Sequence, residues 1–109
     1  MLEKQIEQAV CTYAKCKGFL AYKFTSPARR SVPDRLFLGP NGVCFFIEFK
    51  AQGNTPTKAQ AREILRLQHH GHRVYVCDSI EYGERIINFE ITGNATWLSA
   101  EGNHVQSAT

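Results

Sequence analysis

The chain has 109 residues, room for one compact domain with a single core and too few for two. Hydrophobic residues make up 43% of it and charged residues 21%, the mix of an ordinary soluble globular protein, and no apolar run approaches the ~20 residues that a membrane-spanning helix needs. The formal net charge of +3 is only mildly basic, so where the basic residues sit matters more than how many there are.

Residues 2–17 follow the spacing of an amphipathic helix, with Leu2, Ile6, Val10, Tyr13 and Ala14 on one face and Gly18 placed to end it. Glu3 and Glu7 stand one turn apart at the border of that stripe, in line with Val10 and Ala14. Phe19 to Phe24 is short, aromatic and apolar, and reads as a first strand. A polar loop follows, Thr25 to Ser31, holding Arg29 and Arg30 side by side. The residue before Pro33 is biased to extended backbone, which leads into a second strand over Asp34 to Leu38. Gly39-Pro40-Asn41-Gly42 is turn chemistry, so the second strand and a third over Val43 to Lys50 are expected to pair as an antiparallel hairpin.

Thr55-Pro56 and Thr57-Lys58-Ala59-Gln60 both read as helix starts, the first through Pro at the first helical position and the second as a capping box. Either leads into a second amphipathic helix with Ala61, Ile64, Leu65 and Gln68 on its face, ending near Gly71. His72 to Cys77 is then a fourth strand, reached by a helical crossover and so expected to lie parallel to the third. Ser79 caps a short helix expected to run to about Asn88. The order α-β-β-β-α-β gives an α/β fold, a mixed sheet flanked by helices. Residues 1–88 are expected to form the domain and 89–109 a C-terminal extension, partly mobile, with Trp97 as its anchor or a dimer contact.

The four cysteines form no CxxC pair and are expected as reduced thiols, Cys44 and Cys77 serving as small core hydrophobes. His69, His70 and His72 surround Gly71, where histidines at a helix C-terminus complement its dipole better than they suggest a metal. The polar start Met1-Leu2-Glu3-Lys4-Gln5 lacks the apolar region of a signal peptide, and an intracellular, cytoplasmic setting is expected.

The chemistry concentrates on two stretches. A strand's side chains alternate faces, so Glu48 and Lys50 share one face with Phe46 while Phe45, Ile47 and Phe49 point to the other. Charges among aromatics are costly to bury unless paired or used. The hairpin brings Asp34 to the end of the third strand that carries Glu48 and Lys50. Two carboxylates there can bind a hard divalent cation such as Mg²⁺, and Lys50 can orient a water or offset negative charge; the bland alternative is a same-face ion pair. Lys23, Arg29, Arg30 and Arg35 surround Asp34, while Lys58, Arg62 and Arg66 follow Lys50, a grouping that suits a polyanion.

Pro33-Asp34 followed by Glu48-Phe49-Lys50 resembles the PD-(D/E)xK nuclease signature on its αβββαβ, restriction-endonuclease-like core. Glu7 with its spacing to Gly18, the run Lys23-Phe24-x-Ser26-Pro27-x-Arg29-Arg30-x-Val32-Pro33-Asp34-Arg35, and Gln60 on the next helix narrow the likeness. Together they resemble a stand-alone VRR-NUC (virus-type replication-repair nuclease) domain of the phage or prophage type, over about residues 1–88. The resemblance implies a metal-dependent DNA endonuclease, working as a homodimer on branched DNA such as a Holliday junction. It implies Mg²⁺ or Mn²⁺ held by Asp34, Glu48 and the backbone carbonyl of Phe49, with Lys50 catalytic. It also implies a helix-one glutamate in the site, for which Glu7 and Glu3 compete, and Gln60 on the water network beside its capping role. Lys23, Ser26, Arg29, Arg30 and Arg35 are the candidate DNA contacts. The competing expectation is a non-catalytic DNA-binding module on a nuclease-like scaffold.

Overall fold

The computed structural model describes residues 1–100, with side chains described as far as Thr92. The elements run α1 (Glu3–Cys16), β1 (Leu20–Lys23), β2 (Arg35–Leu38), a 3₁₀ turn at Pro40–Gly42, β3 (Cys44–Phe49), α2 (Lys58–His69), β4 (Val74–Cys77) and α3 (Ile80–Ala100). The four strands form one sheet in the order β1-β2-β3-β4. The first three are antiparallel neighbours, and β4 returns parallel to β3 after the α2 crossover. The expected α/β architecture and hairpin are therefore present, the hairpin pairing Arg35 with Ile47 and Leu38 with Cys44.

Alternation along β2 and β3 sorts the sheet into two faces. Phe37, Phe45, Ile47 and Phe49 are fully buried on one, where they meet Ile6, Val10 and Ala14 of α1 and Ile86 and Ile87 of α3. Phe37 and Phe45 lie stacked with centroids 5.1 Å apart, and Phe19 meets Phe45 edge-on at 5.7 Å. Each such buried ring is worth about 1.5–3 kcal/mol against leaving it in water. Glu48 belongs to the other face, beneath α2. α1 ends where Gly18 adopts φ 95°, a left-handed conformation that a side chain would resist.

α1 and α3 approach closely at Gly83. A Cβ built there would lie 2.2 Å from Val10 Cγ2, and Val10 is fully buried with no room to yield. Gly83→Ala is expected to cost about 1–3 kcal/mol through overpacking, although alanine is the better helix former. Urea unfolding of the two proteins measures it, and equal or greater stability in the variant would show that the helices can separate freely.

Several expectations are corrected. Leu2 is 67% exposed, outside the buried stripe of α1. Cys44 is exposed, because it is the first residue of β3 and points away from the core that receives Phe45; Cys77 is buried as expected, and all four thiols are free. On α2 the buried positions are Glu63 and Ile64, while Leu65 is 54% exposed. α3 continues past Asn88 to Ala100. Glu90 lies beyond the expected domain edge yet is wholly buried, accepting from Arg73 Nε and Nη2 at 2.7 Å each and from the Tyr75 hydroxyl. That bidentate pair fastens α3 to the start of β4. The expectations for the Trp97 side chain and for residues 101–109 lie outside the described residues. No helix of the described residues is long and apolar enough to cross a membrane.

Candidate active site

The hairpin register places Asp34, the residue before β2, beside Glu48 near the end of β3. Asp34 is fixed there by a backbone donor: Phe49 N–H donates to its Oδ2 at 2.9 Å. Burial raises the Asp34 carboxyl above its ordinary value, the Phe49 bond pulls it back, and the charge of Glu7 adds to the rise.

Glu48 is 2% exposed. Its Oε2 accepts from Gln60 Nε2 at 2.8 Å and lies 3.5 Å from Lys50 Nζ. Its Oε1 is buried and has no hydrogen-bond partner among the described residues. Burial and then the neighbouring charge of Asp34 push the Glu48 carboxyl up to about 7, against the pull of Lys50, and Glu3 contributes further repulsion. The ion pair with Lys50 is thus real but incomplete. A carboxylate that has left water with one oxygen unanswered is among the more costly arrangements a core can hold.

Gln60 makes two kinds of contact at once. Its Oε1 accepts from Thr57 N–H at 2.9 Å while Thr57 Oγ1 accepts from Gln60 N–H at 3.1 Å, a reciprocal capping box. The same side chain turns its amide nitrogen to Glu48. Capping and site contact are two ends of one amide, so the helix start rigidly aims the donor.

The two helix-one glutamates divide. Glu7 is 8% exposed and bound to Arg35, whose Nε donates to Oε2 at 2.6 Å, with Lys23 Nζ at 3.9 Å. Glu3 is exposed, and its charge bears on Glu48, whereas that of Glu7 bears on Asp34. Among the described residues no group of three or more His, Cys, Asp and Glu is gathered closely enough to hold a metal. Two carboxylates, one with a buried unanswered oxygen, fit a hard divalent cation that keeps several waters and takes one or two carboxylates.

The basic residues also divide. Arg35 lies on the α1 face of the sheet and is engaged with Glu7 rather than open to a ligand, its side chain only 19% exposed. Lys23 is 70% exposed at the edge strand. Ser26 is half-buried at the start of the loop, and Arg29 N–H donates to its carbonyl at 3.1 Å. Arg29 and Arg30 are exposed and line a cleft against α2 together with Arg62 and Arg66. Glu63, absent from the sequence expectations, sits 7% exposed beside that cleft and pairs with Arg29 and Arg66. Its position one turn after Gln60 and three residues before Arg66 was the available signal.

No family model matches the chain. Over 77 residues, 71% of this chain and 83% of the relative, it is 49% identical to a protein described as "Putative nuclease p44" from Acyrthosiphon pisum secondary endosymbiont phage 1. Among solved structures it is similar to a VRR_NUC domain, with a TM-score of 0.74 and 28% identity, over 79% of this chain and 94% of that one.

Proposed function

We propose, for a chain that belongs to the VRR-NUC family of nucleases, that it hydrolyses phosphodiester bonds in DNA at the Asp34, Glu48 and Lys50 constellation. The observation that carries this reading is the buried, unpartnered Oε1 of Glu48. A purely structural ion pair with Lys50 accounts for only one oxygen of that carboxylate.

Asp34 and Glu48, with the backbone carbonyl of Phe49, are the groups to hold Mg²⁺ or Mn²⁺. Bound there, the cation would polarise the phosphodiester and acidify a water. The rest falls to the chain itself. Phe49 N–H orients Asp34, and Gln60 Nε2 donates to Glu48 Oε2, leaving Oε1 as the oxygen for a cation. Lys50 Nζ, 3.5 Å from Glu48 and 13% exposed, is placed to hold the attacking water and to offset charge gathering on the phosphate. Arg35 holds Glu7 beside Asp34, so that Glu7 acts on the site through its charge and through the fixed position of the β2 strand. Branched DNA is the proposed substrate and a homodimer the proposed assembly, since two symmetric cuts need two sites. The setting is the cytoplasm of a bacterial or phage-infected cell.

Two measurements test this. A panel of labelled junction, flap, single-stranded and duplex DNA, each with Mg²⁺ and with Mn²⁺, is expected to show cleavage favouring the junction; equal cutting of all forms would remove the structural preference but not the nuclease. Calorimetric titration with Mn²⁺ is expected to show binding that Asp34→Asn loses. Absence of any binding by the unaltered protein would support the non-catalytic module instead.

A further inference from the structure

Beside the carboxylate site, the loop before β2 and the outer side of α2 enclose a cleft of about 350 Å³ lined by Ala28, Arg29, Arg30, Ser31, Ala59, Arg62, Glu63 and Arg66. Four guanidiniums face one carboxylate there, a net of +3, which equals the formal net charge of the whole chain. The cleft thus carries a local excess of positive charge. Like charges so gathered repel one another, and a bound anion relieves that repulsion.

Glu63 gives the cluster its order. It is 7% exposed, and its Oε1 lies 3.4 Å from Arg29 Nη1 and 3.3 Å from Arg66 Nε. Two cations on a single buried oxygen exceed what neutralising that carboxylate requires. Each guanidinium spends one nitrogen on Glu63, while the side chains remain 50% and 56% exposed, with further N–H donors available. Arg30 and Arg62 are exposed and pair with no carboxylate among the described residues. Planar forks held from behind by a carboxylate are pre-organised for bidentate recognition of phosphate.

We propose that this cleft seats an internal backbone phosphate of the DNA strand being cut, with Arg29, Arg62 and Arg66 as its ligands and Glu63 as the positioning residue. The assignment rests on the nuclease reading for the identity of the ligand. Glu63 stands three residues after Gln60, the residue that touches Glu48, a rise of about 4.5 Å at about 1.5 Å per residue. The seat and the contact to Glu48 are thus carried by neighbouring turns of α2. A strand held at two points is fixed in direction as well as position, which a single metal site cannot do. The volume suits the assignment, since it equals that of roughly twelve waters at about 30 Å³ each, ample for a phosphate group.

The test is binding without chemistry. Fluorescence anisotropy of labelled DNA in chelator, across a range of NaCl, compares the unaltered protein with Arg29→Ala, Arg62→Ala and Arg85→Ala, the last an exposed arginine of α3 away from the cleft. Arg62 makes no ion pair among the described residues, so its removal leaves the ion pairs described above in place; circular dichroism checks that the fold is kept. Each cleft variant is expected to bind roughly threefold or more weakly and to flatten the slope of log affinity against log salt by about one, as loss of a phosphate contact does. Arg85→Ala is expected to do neither. Equal weakening by all three would overturn the seat in favour of general charge, and no weakening would overturn it outright. The panel is run on DNA with phosphorylated and with hydroxyl ends; losses confined to phosphorylated ends would overturn the internal phosphate in favour of a terminal one. Lys50→Ala runs alongside: if it still cuts, the catalytic assignment falls while the binding result for the cleft stands.

Discussion

Replacing Lys50 by alanine is expected to slow DNA cleavage by about 10²–10³-fold, the loss typical when one pre-positioned donor is removed from an active site. The change is expected in the rate and not in DNA affinity, because Lys50 is 13% exposed and turned toward Glu48 rather than outward to the backbone of a bound strand. Single-turnover cleavage separates the two quantities. Folding is preserved on separate grounds: Lys50 follows the last residue of β3, and its backbone N–H donates to the Cys77 carbonyl at 2.9 Å whatever its side chain. Unchanged cleavage by the variant would show that the lysine serves only to balance Glu48, and the site assignment would fail with it.

Glu48→Gln is expected to abolish cleavage and yet to make the protein harder to unfold at alkaline pH. Burial and the charge of Asp34 push the Glu48 carboxyl up to about 7 from an ordinary 4.5. Its folded value thus lies above its unfolded one. Between these two pH values the native state holds a proton that the unfolded chain has released, and stability falls as pH rises through that window. At about 1.36 kcal/mol per pH unit the full loss is on the order of 3 kcal/mol by pH 8. Asp34 contributes in the same direction. A neutral amide of the same shape removes the penalty, though it also deprives Lys50 of its partner. The expected result is therefore a difference between the two proteins that grows in favour of the variant from pH 5 to pH 8. Urea unfolding at both values reads it, and a difference independent of pH would mean that Glu48 is not held against its ionisation. A residue that destabilises its own fold in the charged form is a common price of a functional site.

The elements that fix the site were legible because their signals are local. Period-two alternation put Glu48 and Lys50 on one face, turn residues at Gly39 to Gly42 closed the hairpin, and Thr57 with Gln60 marked the start of α2. What was not legible depends on partners distant in the chain. Nothing near Glu7 says that Arg35 will claim it, and nothing near Glu63 says that Arg29 will arrive from another loop to let a carboxylate occupy the buried stripe of α2. The length of α3 was hidden for another reason: Thr92, Gly93 and Asn94 are weak helix formers and argue for an earlier end.

At the third position of a helix, capping statistics treat glutamate and glutamine as synonyms. In this chain they are not. The oxygen of Gln60 serves the first turn of α2 and its nitrogen serves Glu48, so a glutamate would satisfy the helix and set one carboxylate against another at hydrogen-bond distance. The position is read twice, once by the local backbone and once by the sheet beneath it. Only the residue whose two ends differ in chemistry answers both, and the choice between two near-identical side chains becomes as constrained as that of any charged group in the site.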